Sequence, residues 1–351
     1  VNNNHIEIVK LLLNKQADPN TVNSKGGIFS LEIAAKKGNV EIVTLLLSNH
    51  ANPNQVSPED GISPIYWAAQ NGHMEIVKLL LDNHADPNAV LAETGIFPLL
   101  WATQYNHINF AKLLLEYHAD PNAVHAEAGT FPLLLAAQDG HFEIAKLLLA
   151  YHADPNAVHA EAGTFPLLLA TQNGHADIIK LLLDKQADPN LASPKDGLSA
   201  LLRAVINGHS DIVRLLLDNQ ANPNVTHGET GVFALLLAVE RSHIDTVKLL
   251  LMYQADPNLI NLKDRVFPLL KAVIMGDLDI VKLLLRNGAD PNISYTQTGG
   301  FPLLLSLEGN HKDIAKLLLE NQADPNAVNV QTGTFPLLLA VQDCDIEAVK
   351  L

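Results

Sequence analysis

Gly140-His141-Phe142-Glu143-Ile144-Ala145-Lys146-Leu147-Leu148-Leu149, followed by Ala153-Asp154-Pro155-Asn156, is the stretch on which the reading of this chain turns. Its closing four residues recur as Ala-Asp-Pro-Asn or Ala-Asn-Pro-Asn around ten prolines: Pro19, Pro53, Pro87, Pro121, Pro155, Pro189, Pro223, Pro257, Pro291 and Pro325. Each stands 34 residues after the one before. A period of that size, held without slippage, marks stacked supersecondary modules that bury their apolar faces only against their neighbours. Such an array offers a long surface and no obvious single pocket, which points to binding and away from catalysis.

Counting from the residue after each Pro-Asn gives nine complete modules, at 21–54, 55–88, 89–122, 123–156, 157–190, 191–224, 225–258, 259–292 and 293–326. A half module (1–20) precedes them and a truncated one (327–351) follows, so the expectation is a single repeat domain over 1–351, cut from a longer protein. Residues 117–136 recur identically at 151–170, the mark of recent tandem duplication.

Composition narrows the function classes. The 351 residues are 48% apolar and carry a net charge of -15. That balance repels a phosphate backbone and argues against nucleic acid; it suits solubility and a basic protein partner. One cysteine, Cys344, excludes a disulfide framework and points to a reducing, cytoplasmic setting. No apolar run approaches the length of a membrane helix.

Within a module the pattern is regular. A turn-like loop ends in glycine at Gly27, Gly61, Gly95, Gly129, Gly163, Gly197, Gly231, Gly299 and Gly333, with Arg265 the exception, which predicts a positive φ there. A short helix follows, as in Phe131-Pro132-Leu133-Leu134-Leu135-Ala136-Ala137, with proline placed where a first helical residue needs no donor. The second helix opens at His73, His107, His141, His175, His209, His243 and His311, or at Asn39, Asp277 and Asp345, residue types that predict an N-cap. Two residues on stands an acid, such as Glu75 or Asp211, where the helix dipole favours negative charge. The apolar stripe of this helix is broken at one phase by Lys78 and its counterparts, a solvated face.

Read together, Gly140 to Leu149 and Ala153 to Asn156 resemble the ankyrin repeat, and the resemblance runs through the whole chain. Tetratricopeptide repeats share the period, but their Trp, Gly-Tyr and Ala signature is absent. The ankyrin resemblance implies a mainly all-α solenoid of helix-turn-helix modules, each with a β-hairpin finger, and a concave side that binds proteins. Three departures stand out. The ankyrin unit is 33 residues, so each module here carries one more, placed between Asn156 and Gly163 in one module. The family's Thr-Pro-Leu-His becomes Phe-Pro-Leu-Leu in most modules, which removes both partners of a hydrogen bond together. The glycine after the second helix survives as Gly288 alone; His50, His84, His118, His152 and glutamines such as Gln186 and Gln220 replace it, at about 1 kcal/mol each if the site stays left-handed.

Chemistry is sparse. All 15 histidines fall on repeat positions: eight at second-helix starts, four at helix ends and three (His125, His159, His227) on fingers. The His-x-Glu pattern lacks the second histidine at i+4 that a zinc site on one helix needs. Cys344 takes a place that is usually glycine. No phosphate loop or dinucleotide fingerprint is present. The expectation is therefore no enzyme, no metal, no cofactor and no small-molecule substrate.

What remains is surface. One residue before the small pair of the first helix come Trp67, Trp101, Leu135, Leu169, Arg203, Leu237, Lys271, Leu305 and Leu339. Four residues later come Tyr105, Asp139, Asn173, Asn207, Arg241 and Met275. An i, i+4 pair shares a helix face, and the resemblance puts that face in the groove. Trp67 and Trp101, joined by Tyr66 and Tyr105, then form an aromatic ledge suited to a partner. The competing reading is that tryptophan fills a gap in a position that is leucine elsewhere. A weaker patch combines Lys271, Ile274 and Met275. The finger acids Glu93, Glu127, Glu161 and Glu229 suit the steering of a basic partner. The leading function is a monomeric, non-catalytic scaffold for a protein partner. The alternative is the adaptor arm of a larger enzyme, or of a secreted bacterial effector acting in a host cytosol.

Overall fold

A computed structural model describes residues 5–24, 27–58, 61–294 and 299–342. Among these residues it contains twenty helices and no extended strand. Cys344, Asp345 and Glu347 lie outside the described residues. The chain divides into two compact halves, Val1–Lys185 and Gln186–Leu351.

Each complete module supplies two antiparallel helices, as in Pro132–Asp139 and Phe142–Ala150. Pro64, Pro98, Pro132, Pro166, Pro268 and Pro302 each hold the first helical position, as the missing donor and fixed φ require. The residue just before the proline is extended and often phenylalanine. Phe131, Phe165, Phe267 and Phe301 are all buried, so apolar packing stands where the family has a hydrogen-bonding threonine. Within each half, second helices pack on second helices and first helices on first, and the leucines, isoleucines and small pairs such as Ala136 and Ala137 close the core between them. Lys78, Lys112, Lys146, Lys180 and Lys316 lie on the solvated face.

The second helix ends in the double-bonded C-terminal motif. After Phe142–Ala150, the His152 N–H reaches Leu149 O and the Ala153 N–H reaches Leu148 O at 3.0 Å. This geometry demands a left-handed residue between helix and turn. His50, His84, His118 and His152 take φ values of 64°, 67°, 65° and 67°, and the glutamines do the same. Ala153 is buried behind the turn, which explains the alanine of the recurring tetrapeptide.

The fingers are tight loops. In module 123–156 the His125 N–H reaches Thr130 O and the Gly129 N–H returns to His125 O, both at 2.8 Å. Gly129 takes φ 67°, and Arg265 keeps the left-handed geometry at φ 58°. Because the loop turns through five residues, antiparallel pairing shrinks to isolated bridges at Val22–Phe29, Ala192–Ser199 and Thr226–Phe233. The expected β-hairpin is thus present as a closed loop with no ladder of its own.

Candidate functional site

The candidate surface is carried by the first helices and the fingers. On Pro98–Gln104, Trp101 is half-buried, and Tyr105, at the helix end, is 57% exposed. Their rings lie 5.1 Å apart, His107 stacks on Trp101 at 4.9 Å, and Phe110 closes the cluster from below at 6.0 Å. The i, i+4 face is therefore real at this helix. His107 belongs to it as well, and the N-cap reading of that position concealed this.

Trp67, on Pro64–Gln70, stands apart from that cluster. Its ring takes the ammonium of Lys36 at 3.5 Å from the centroid, a contact from the preceding module. Pro64–Gln70 and Pro98–Gln104 are also the one pair of neighbouring first helices in this half whose main chains stay farther apart than the rest. Among the described residues no ring contact joins Trp67 to Trp101. Tyr66 leaves the surface altogether: it is buried, and its hydroxyl donates to Ile96 O at 2.6 Å, pinning the next finger. Burial pushes its phenol far above the ordinary tyrosine range.

The cationic positions are paired. Lys271 meets Glu240 at 3.2 Å, again across neighbouring modules, and Arg203 meets Asp196 of its own finger at 3.5 Å. Burial raises the Asp196 carboxyl, but the Ser193 hydroxyl, the Leu198 N–H and Arg203 outweigh it and hold that carboxyl below the usual range. Ile274 and Met275 beside Lys271 are 53% and 40% exposed, and Arg241 is exposed. Glu93, Glu127, Glu161 and Glu229 are exposed on their fingers.

The histidines work as packing pieces. At the second-helix starts, Asp277 does cap with its side chain, accepting from Ile280 N at 3.1 Å, but His73, His107, His141, His175, His209, His243 and His311 make no such bond, nor does Asn39. The rings of His73, His175, His243 and His311 instead lie over the left-handed glycine of the preceding module, and His175 Nε2 donates to Gln138 O at 3.1 Å. On the fingers, His125 Nε2 donates to Thr94 O at 2.7 Å and Nδ1 accepts from Ala128 N at 3.0 Å, which fixes one neutral tautomer and ties finger to finger. His159 repeats this arrangement, and His227 reaches Asp196 O in the same way.

Among the described residues no group of three or more His, Cys, Asp or Glu is placed to hold a metal ion, and no helix is long and apolar enough to cross a membrane.

Comparison with known proteins agrees with the geometry. A model of three ankyrin repeats matches residues 31–125, 99–193, 133–227, 167–261, 220–295 and 269–351, and a single-repeat model matches 1–24. No curated protein matches the sequence. Among solved structures, the crystal structure of the human ASB11 ankyrin repeat domain is similar, at 26% identity and a TM-score of 0.51, covering 66% of this chain and 100% of that one. Matching family models thus run from the first half module to the last, over paired helices, left-handed turns and closed fingers, and the chain belongs to the ankyrin-repeat family.

Proposed function

We propose that this chain is a non-catalytic scaffold that binds a basic protein partner along its first helices and fingers. Ankyrin repeats are in general protein–protein interaction modules. The observation that carries the reading is the cluster of Trp101, Tyr105 and His107: three rings in contact, Tyr105 57% exposed, on a chain of only 5% aromatic content. Rigid aromatic groups of this kind anchor interfaces at little cost in side-chain entropy. The exposed finger acids and the net charge of -15 supply long-range attraction for a basic surface.

The test begins with a partner obtained by proximity labelling of the full-length protein and then purified. Trp101→Ala with Tyr105→Ala is expected to weaken its affinity by about tenfold to a hundredfold. Replacing Glu93, Glu127 and Glu161 by glutamine lowers the association rate and its salt dependence. Unchanged affinity and rate in folded variants would remove the assignment.

A further inference from the structure

The histidine column is interrupted at Gly72. A Cβ built on Gly38 would stand 2.6 Å from the His73 ring, on Gly140 2.8 Å from His175, on Gly208 3.3 Å from His243 and on Gly276 2.6 Å from His311. Gly72 has the same left-handed geometry, φ 73°, but open space around that position. Its counterpart His107 has turned away to stack on Trp101 at 4.9 Å, and it is exposed where His73, His141, His175, His209, His243 and His311 are half-buried. Trp101 gives that ring a stacking face, whereas Trp67, at the same place in the module of His73, meets Lys36 and leaves His73 over Gly38.

The vacated place opens into a cleft of about 600 Å³ lined by Gln70, Gly72, Met74, His107 and Phe110, between the two first helices that stand apart. The counterpart beside covered Gly276 measures about 310 Å³. The occupied sites show what the empty one accepts: a flat group against the glycine whose N–H donates to a helix-end carbonyl, as His175 does to Gln138 O. Gln70 is the counterpart of Gln138.

We infer that the cleft at Gly72 receives an arginine side chain of the basic partner, its guanidinium lying where other modules hold a histidine ring. This rests on the protein-binding reading above. A guanidinium is planar, presents N–H donors from a rigid fork and stacks on an exposed aromatic face such as that of His107. The net charge of -15 favours a cation over a neutral ring. Lysine carries the charge without the flat face.

The test needs no partner protein, so its failure and the failure of the scaffold assignment are separable. The full chain, labelled at its methionine methyls, is titrated with N-acetyl-arginine N-methylamide and with the lysine and histidine equivalents. The three methionines report separately: Met74 lines the cleft, while Met252 and Met275 lie elsewhere and serve as controls. The expected result is a saturable shift at Met74 alone, with arginine binding roughly tenfold tighter than lysine or histidine. Gly72→Asn fills the cleft and abolishes the shift; asparagine already holds this geometry at Asn106 (φ 54°) and Asn310 (φ 55°), so the fold is kept. Trp101→Leu, which releases His107 to cover Gly72, abolishes it independently. No saturable shift at Met74, an equal response to lysine or histidine, or a shift that survives both folded variants would overturn the inference.

Discussion

The side-chain oxygen of Asn122 accepts the main-chain N–H of Asp154, 32 residues further along the chain, at 2.7 Å. Its amide nitrogen donates to His152 O at 3.1 Å. The same double bond runs from Asn20 to Asn52 and His50 and from Asn54 to Asp86 and His84 in the first half. In the second half it runs from Asn224 to Asp256 and Gln254 and from Asn292 to Asp324 and Gln322. The asparagine of each recurring tetrapeptide is therefore a strap to the next module, while the preceding Asp or Asn closes its own turn, as Asp154 does on Asn156 N at 2.9 Å.

Asn122→Ala removes both arms of the strap and leaves a carbonyl and an N–H at a module junction. The expected loss is about 1–2 kcal/mol in urea unfolding. Asn122→Asp keeps an acceptor but turns a carboxylate toward His152 O, so it loses as much or more. Unchanged unfolding midpoints in both variants would show that the strap contributes nothing.

His152 holds φ 67°, a conformation that costs a side chain with a Cβ. His152→Gly is expected to stabilise the protein by about 0.5–1 kcal/mol, the gain in the left-handed site exceeding the entropy of a freer unfolded chain. The ring is exposed, so little packing is lost. Gly288, at φ 85°, shows that glycine fits the site. A lowered melting temperature would contradict this.

Tyr66 gives a pH signature. Its folded phenol is raised by burial, so its contribution is complete below the unfolded tyrosine value near 10 and is lost as pH climbs through that value toward the folded one. Tyr66→Phe lowers stability at pH 7 by about 1 kcal/mol, because Ile96 O loses one of its two donors and keeps only the Leu91 N–H. It also flattens the decline between about pH 10 and 12. A variant whose alkaline decline matches the parent's would rule out Tyr66 as its source.

The Lys271–Glu240 pair is half-exposed, and its contribution is small. Lys271→Met costs less than about 1 kcal/mol. A double-mutant cycle with Glu240→Gln checks this, and a coupling well above that range would show a stronger pair.

Much of the fold was legible before any coordinates. The 34-residue period, the first-position prolines and the finger glycines with φ values near 67° are local demands of the backbone. The left-handed His152 and Gln220 were readable for the same reason. The candidate site was legible in part. Trp101 and Tyr105 meet on one helix face, as an i, i+4 spacing requires. Their joining by His107, the loss of Tyr66 to the core and the separation of Trp67 were not readable.

The burial of Tyr66 and the separation of Trp67 depend on partners 30 or more residues away, Ile96 and Lys36. A histidine before a helix satisfies the local rule for a cap, yet its ring goes to the neighbouring glycine because the stack offers it a flat, Cβ-free surface there. Module geometry is written within each 34-residue stretch, since φ preferences and apolar spacing act over a few residues. Which side chains meet across modules is settled only when packing fixes the spacing between helices: Trp67 meets Lys36 and His73 covers Gly38, whereas Trp101 holds His107 and the cleft at Gly72 stays open.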